Sequence, residues 1–256
     1  MYRKLNIKWF RSIDSTNLQA ARELSDAPEG SVWVADYQTA GRGQRGNVWR
    51  SDSGLNLLFS VLIRPCFVDV ASQFSISQIT ALAIVKYLKD KGLSAKIKWP
   101  NDIYVGDKKI CGILIEHSVS GANLSASILG IGVNINQTVF PADAPNPTSV
   151  ILESGNIAAG EIKDRAQELD RPKELESILT HLFELYEQLR DGYGEQLNAE
   201  YLSCLYRLGE YHDFIEEGNN RITARIKGIN RYGCLILEKT DGSVYEYAFQ
   251  QIKYVI

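Results

Sequence analysis

Apolar and polar positions along the chain fall into two kinds of run. Residues 31–39, "SVWVADYQT", alternate and are rich in valine and aromatics, which predicts a strand running straight into a glycine-rich loop. "GLNLLFSVLI" predicts a buried strand closed by Pro65. "SAKIKW", "DIYV" and "ICGILIEHSV", the last two joined through "GDKK", predict a hairpin-rich series, and "LSASILGIGVNI" adds another apolar strand. Other stretches carry the helical period. "DSTNLQAARELSD" opens on good N-cap residues and spaces Leu18, Ala21 and Leu24 helically. "SQFSISQITALAIVKYLKDKG" predicts a helix stopped at Gly92, and "PKELESILTHLFELYEQL" predicts a long amphipathic one. Residues 137–148, with Pro141, Pro145 and Pro147, predict a loop.

Beyond about residue 207 the texture changes. "RITARIKGI", "GCLILEK", "SVYEYAF" and "IKYVI" read as short strands set off by "EEGNN", "NRYG" and "TDG". The expected fold class is α+β: a mixed-sheet domain over 1–206, flanked by helices, and a small SH3-like β barrel over 207–256.

Composition narrows the function. A chain of 256 residues with 45% hydrophobic and 23% charged residues suits a globular protein, and its net charge of -3 argues against nucleic-acid binding. The start lacks a signal peptide's apolar core and no run reaches membrane-spanning length, so a cytoplasmic protein without membrane contacts is expected. The four cysteines form no CxxC pair and the three histidines have no ligand spacing; no protein-held metal is expected. Cys111 and Cys234, inside apolar runs, read as small core hydrophobes.

Residues 38–49, "QTAGRGQRGNVW", satisfy GxGxxG at Gly41, Gly43 and Gly46. A dinucleotide-binding turn would lead into a helix, but "NVWRSDSG" has no helical period. A P-loop is absent because no Gly-Lys-Ser/Thr occurs. Two readings stay open: a solvated surface loop, or a mobile cationic loop that closes over an anion. "KIKWPNDIYVGDKKICG" is the second informative stretch. Pro100 holds Trp99 extended, and so fixes how Lys98, Asn101 and Asp102 project. Lys109 reads as a solvated strand end, or, folded inward, as a phosphate partner.

"DSTN", "YQTAGRGQRGNVW", "KWPNDIY", "KKICGILIE" and "LGIGVNIN", in this order and spacing, resemble the biotin protein ligases over about residues 12–136. The resemblance implies the class II synthetase-like biotin/lipoate ligase fold. It also implies a reaction in two halves: biotin and Mg2+-ATP give biotinyl-5′-AMP, then a carrier lysine takes the biotin. The carrier would be the biotin carboxyl carrier protein of a biotin-dependent carboxylase, and a homodimer is compatible with the family. Residue by residue, Ser15, Thr16, Asn17 and Gln38 resemble the biotin head-group contacts, and Arg42, Gly43 and Gln44 the clamp. Lys109 resembles the lysine at the biotin carboxylate and α-phosphate. Gly112, Gly130 and Gly132 would let strands approach the ligand. Arg45, Trp49, Lys98, Asn101 and Asn134 fall on the nucleotide side, with Asp102 expected to orient or deprotonate the incoming amine. Arg42, Lys109 and Asp102 are the expected catalytic set. Gln44 departs from the basic residue common at its position, which predicts a leakier adenylate. Only about a dozen residues precede "DSTN", so operator binding is not expected. A lipoate–protein ligase and a noncatalytic binding module are the competing readings.

Overall fold

The computed structural model describes residues 6–142, 144–155 and 168–256, with Arg45 by its backbone alone. Strands β1 (Asn6–Phe10), β2 (Ser31–Ala35), β3 (Leu57–Ile63), β4 (Ala95–Lys98), β5 (Asp102–Val105), β6 (Lys108–Ser120) and β7 (Asn123–Val133) form one sheet, ordered β1-β2-β3-β7-β6-β5-β4. Only β1 and β2 pair in parallel. Alternation along β3 sorts the two faces. Phe59, Val61 and Ile63 join the main buried cluster with Ile76, Ile79 and Leu82 of helix α2 (Phe74–Asp90) and Leu175, Ile178 and Leu182 of α4 (Arg171–Arg190). Leu62 joins a smaller cluster around Ala20 of α1 (Thr16–Arg22). Each such apolar side chain contributes about 1.5–3 kcal/mol on burial, so the α2/α4 face anchors the sheet. The α1 face is left thinly covered, and there the site forms.

Gly92, at φ 76°, ends α2 as its sequence position suggests. The short α3 (Val150–Glu153) and the helix α5 (Gly194–Ser203) carry too few apolar positions to announce themselves; α5 buries only Leu197 and Tyr201. β1 was likewise missed: Asn6–Trp9 do alternate, but the strand is only five residues long and lies at the sheet edge with four of them exposed.

A second, wholly antiparallel sheet holds β8 (Tyr211–Glu216), β9 (Arg221–Ile229), β10 (Leu235–Lys239), β11 (Val244–Tyr247) and β12 (Ile252–Tyr254), ordered β11-β10-β9-β8-β12. It is consistent with an SH3-like unit but is not a closed barrel: β11 and the three-residue β12 remain edges among the described residues. The bend is supplied by a register shift at Ile236/Leu237. The two sheets are joined tightly. Trp99 Nε1, between β4 and β5, donates to Gly233 O, between β9 and β10, at 2.8 Å. No helix among the described residues is long and apolar enough to cross a membrane.

Candidate active site

The centre of the site is an irregularity in β6. Asp102 pairs with Gly112 and Tyr104 with Lys109, so Ile110 is an extra residue on β6. Regular alternation would put Lys109 and Gly112 on opposite faces, because they are three apart. The bulge brings both to the Asp102 face, while Ile110 and Cys111 both point into the core. As a result Lys109 Nζ lies 2.6 Å from Asp102 Oδ1 and 5.5 Å from the centre of the Trp49 indole.

A buried polar network lies under the first turn of α1. Gln38 Oε1 accepts from Thr16 N–H at 2.7 Å and from Thr16 Oγ1 at 3.2 Å. Ser60 Oγ lies 2.8 Å from Thr16 Oγ1 and donates to Asn17 Oδ1 at 2.6 Å. Asn17 Nδ2 donates in turn to Glu116 Oε2 at 2.7 Å. Ser15 is the N-cap of α1 but makes no side-chain cap bond, leaving its hydroxyl for another partner.

The glycine-rich loop is folded as a small hairpin over this face. Gly43 N–H donates to Asn47 O at 2.7 Å, and Trp49 N–H to Gly41 O at 3.0 Å, around one helical turn at Gln44–Gly46. Arg42 reaches Glu116 at 3.0 Å. The Trp49 indole lies across two strands. An added Cβ would come within 2.7 Å of its Cζ3 at Gly112 and 2.6 Å of its Cε2 at Gly132, so only glycine admits the ring. Its Nε1 is buried without a hydrogen-bond partner, a donor left over for a ligand.

These elements enclose a cavity of about 250 Å³, lined by the α1 turn, the loop, Lys98, Asn101, Asp102, Lys109 and the three strand glycines. A second cavity of about 450 Å³ adjoins it, sharing Asn47, Val48, Trp49 and Lys109, and is bounded by Asn134, Phe140 and the prolines of the 137–148 loop. Three cations face two carboxylates at the first cavity. Lys109 is paired with Asp102 and Arg42 with Glu116, while Lys98 has no ion pair among the described residues. Burial pulls the Lys98 ammonium below its ordinary pKa; Asp102 opposes this, and Lys109 and Arg207 reinforce it. The chamber is therefore a polar, cationic one suited to an anionic ligand with a hydrogen-bonding head.

The model of the biotin/lipoate A/B protein ligase family matches residues 9–134, the stretch that builds this chamber. A biotin–[acetyl-CoA-carboxylase] ligase of Paracoccus denitrificans is 32% identical over 237 residues, covering 90% of this chain and 92% of its own. The chain belongs to this ligase family. The bifunctional ligase/repressor BirA of Bacillus subtilis is also 32% identical, over 91% of this chain and 70% of its own. A solved biotin protein ligase from Aquifex aeolicus, in complex with biotin and ATP, superposes with a TM-score of 0.77 at 25% identity, covering 98% of this chain and 99% of that one.

Within this ligase fold, most residues singled out in the sequence meet at the first cavity: Ser15, Thr16, Asn17, Gln38, Arg42, Gly43, Gln44, Trp49, Lys98, Asn101, Asp102, Lys109, Gly112, Gly130 and Gly132. Asn134 lies apart, at the second cavity, where its Nδ2 donates to Thr148 O at 2.9 Å and ties down the proline-rich loop. The Arg45 side chain falls outside the described residues. The three strand glycines line the cavity, and they have a second role inside the protein. They make room for Trp49 and Asn17; at Gly130 an added Cβ would sit 2.2 Å from Asn17 Oδ1. Cys111 is buried as expected, but Cys234 is only half-buried.

Sequence reasoning missed Ser60 and Glu116. Ser60 is the lone polar residue of the apolar strand "LLFSVLI", and that was the available signal. Glu116 follows the apolar run "ICGILI" in β6 and is succeeded by His117 and Ser118, so it had no such signal.

Proposed function

We propose that this chain is an ATP-dependent biotin protein ligase that makes biotinyl-5′-AMP and passes the biotin to a lysine of a biotin carboxyl carrier protein. The observation that carries this reading is the convergence of Arg42, Lys98 and Lys109 on the cavity that also holds the Gln38–Thr16–Ser60–Asn17 network. A ureido head requires both donors and acceptors, and the network offers both. A dithiolane head has no N–H or C=O to offer this network or the Ser15 hydroxyl, which favours biotin over lipoate. A noncatalytic binder has no use for a lysine ion-paired beside a second, unpaired one.

In the first half-reaction the biotin carboxylate attacks the α-phosphorus while the bond to the β-phosphate breaks, releasing pyrophosphate. Two anions must approach, and Arg42 and Lys109 offset that charge where water is scarce. The loop hairpin then covers the mixed anhydride against hydrolysis. In the second half the carrier lysine attacks the acyl carbon, AMP leaves, and Asp102 orients the amine and takes its proton. Mg2+ enters as part of the nucleotide substrate; no group of three or more His, Cys, Asp or Glu among the described residues is placed to hold an ion. The adenine faces the second cavity, beside Phe140 and Asn134.

Residues 1–206 form the catalytic unit in this reading and 207–256 a supporting one. All four cysteines are free thiols, in keeping with work in a reducing cytoplasm. Biotin-dependent ATP–pyrophosphate exchange tests the proposal. Exchange with biotin supports it; exchange with lipoate alone, or none, overturns it.

A further inference from the structure

The second sheet touches one of the cations that line the chamber. Lys98 Nζ sits 5.2 Å from the centre of the Tyr104 ring and 5.0 Å from that of Tyr254, which lies on β12. The cage is braced from behind. Tyr206 packs 5.5 Å from Tyr104 and 6.2 Å from Tyr254, and Phe214 lies 5.2 Å from Tyr254. Tyr206 Oη donates to Asp107 at 2.5 Å, and Arg207 ties its guanidinium to Val255 O at 2.7 Å, which holds the β12 end in place.

We propose that Tyr254 is a positioning residue for the nucleotide half of the reaction: its ring holds the Lys98 ammonium at the cavity for the ATP phosphates. This rests on the ligase reading above. The physical basis is the difference between an aromatic partner and a carboxylate. Asp102 and Glu116 form ion pairs with Lys109 and Arg42. An aromatic face attracts a cation through its quadrupole but leaves the net charge intact. Among the described residues, Lys98 is thus aimed without an ion pair and is placed to meet the polyphosphate first.

The ring does this without its hydroxyl, since Tyr254 Oη is buried with no hydrogen-bond partner. That separates the proposal from a general packing role. Pyrophosphate exchange on the full chain should show Tyr254→Leu raising the KM for ATP about three- to thirty-fold, the range of one lost cation–π contact, with the KM for biotin unmoved. Tyr254→Phe, which keeps the ring, should restore the ATP value. A double-mutant cycle closes the test. Lys98→Met alone should weaken ATP binding, and adding Tyr254→Leu to it should cost nothing further, because the group Tyr254 acts through is already gone.

Additive effects, an equal rise in both KM values, or a Phe variant as impaired as the Leu variant would each overturn the inference while leaving the ligase reading intact. Absence of biotin-dependent exchange in the unaltered chain overturns both.

Discussion

Lys109 Nζ stands 2.6 Å from Asp102 Oδ1, and the two share a face only because β6 carries one extra residue at Ile110. In the ligase reading proposed above, the pair would divide the two half-reactions between neighbouring strands. Lys109→Ala should lose roughly 10²- to 10³-fold in pyrophosphate exchange, the scale of removing one cationic or donor group from developing oxyanion charge. Asp102→Asn should leave exchange within about tenfold yet slow transfer to the carrier by about 10²-fold or more. Near-normal exchange by Lys109→Ala would return that lysine to a solvated strand end.

Gly130→Ala tests the polar network. The new methyl would press on Asn17 Oδ1, and the amide cannot swing clear because Ser60 and Glu116 both hold it. Overpacking of this kind costs about 1–3 kcal/mol. Biotin affinity by calorimetry should therefore fall about five- to a hundred-fold, and an unchanged value would show that Asn17 does not meet the head group.

Glu116→Gln keeps the acceptor for Asn17 but removes the charge that holds Arg42. A partly exposed pair of this kind is worth about 1 kcal/mol or less, so MgATP should bind up to about fivefold more tightly. Weaker binding would mean that Glu116 positions Arg42 rather than competing for it.

At Gln44, Oε1 is buried without a partner. Gln44→Arg removes that orphan and adds a cation beside the adenylate, so release of biotinyl-5′-AMP should slow several-fold. Equal release rates from the two proteins count against a clamping role at this position.

His117 supplies a pH test. Burial holds its imidazole below the ordinary value of about 6.5, and its Nδ1 lies 2.8 Å from Ser127 Oγ. The unfolded chain therefore binds the proton more readily than the folded one. Stability from this group is intact above the unfolded pKa and drains away as pH falls through it toward the lowered folded value. Melting temperatures measured from about pH 8 down to pH 5 should fall more steeply for the unaltered protein than for His117→Gln. Parallel slopes would show that the neutral imidazole is not what the fold requires.

Local patterns made much of this protein legible. The apolar run "SVWVA" and the helical period of residues 74–90 report burial directly, although the alternation expected along residues 31–39 is not met in β2, whose five residues are buried on both faces. Motif order marked Arg42, Lys109 and Asp102 as the expected catalytic set, and all three line the first cavity. β1 and α5 stayed hidden, because a five-residue edge strand with four exposed residues and a helix with two buried ones leave too short or too weak a pattern.

The residue types that the proposed chemistry calls for were thus determined by the chain itself: flexible glycines, four cations and a run of hydroxyl and amide side chains. Their faces and partners were not. A bulge is a mismatch between two strands, so only pairing with β5 could turn Lys109 toward Gly112 and Asp102. Glycines 112, 130 and 132 acquired their meaning only when Trp49 and Asn17 were packed onto them. Lys98 met Tyr254 across more than half the chain, a contact that local periodicity cannot encode because it exists only once the two sheets are docked.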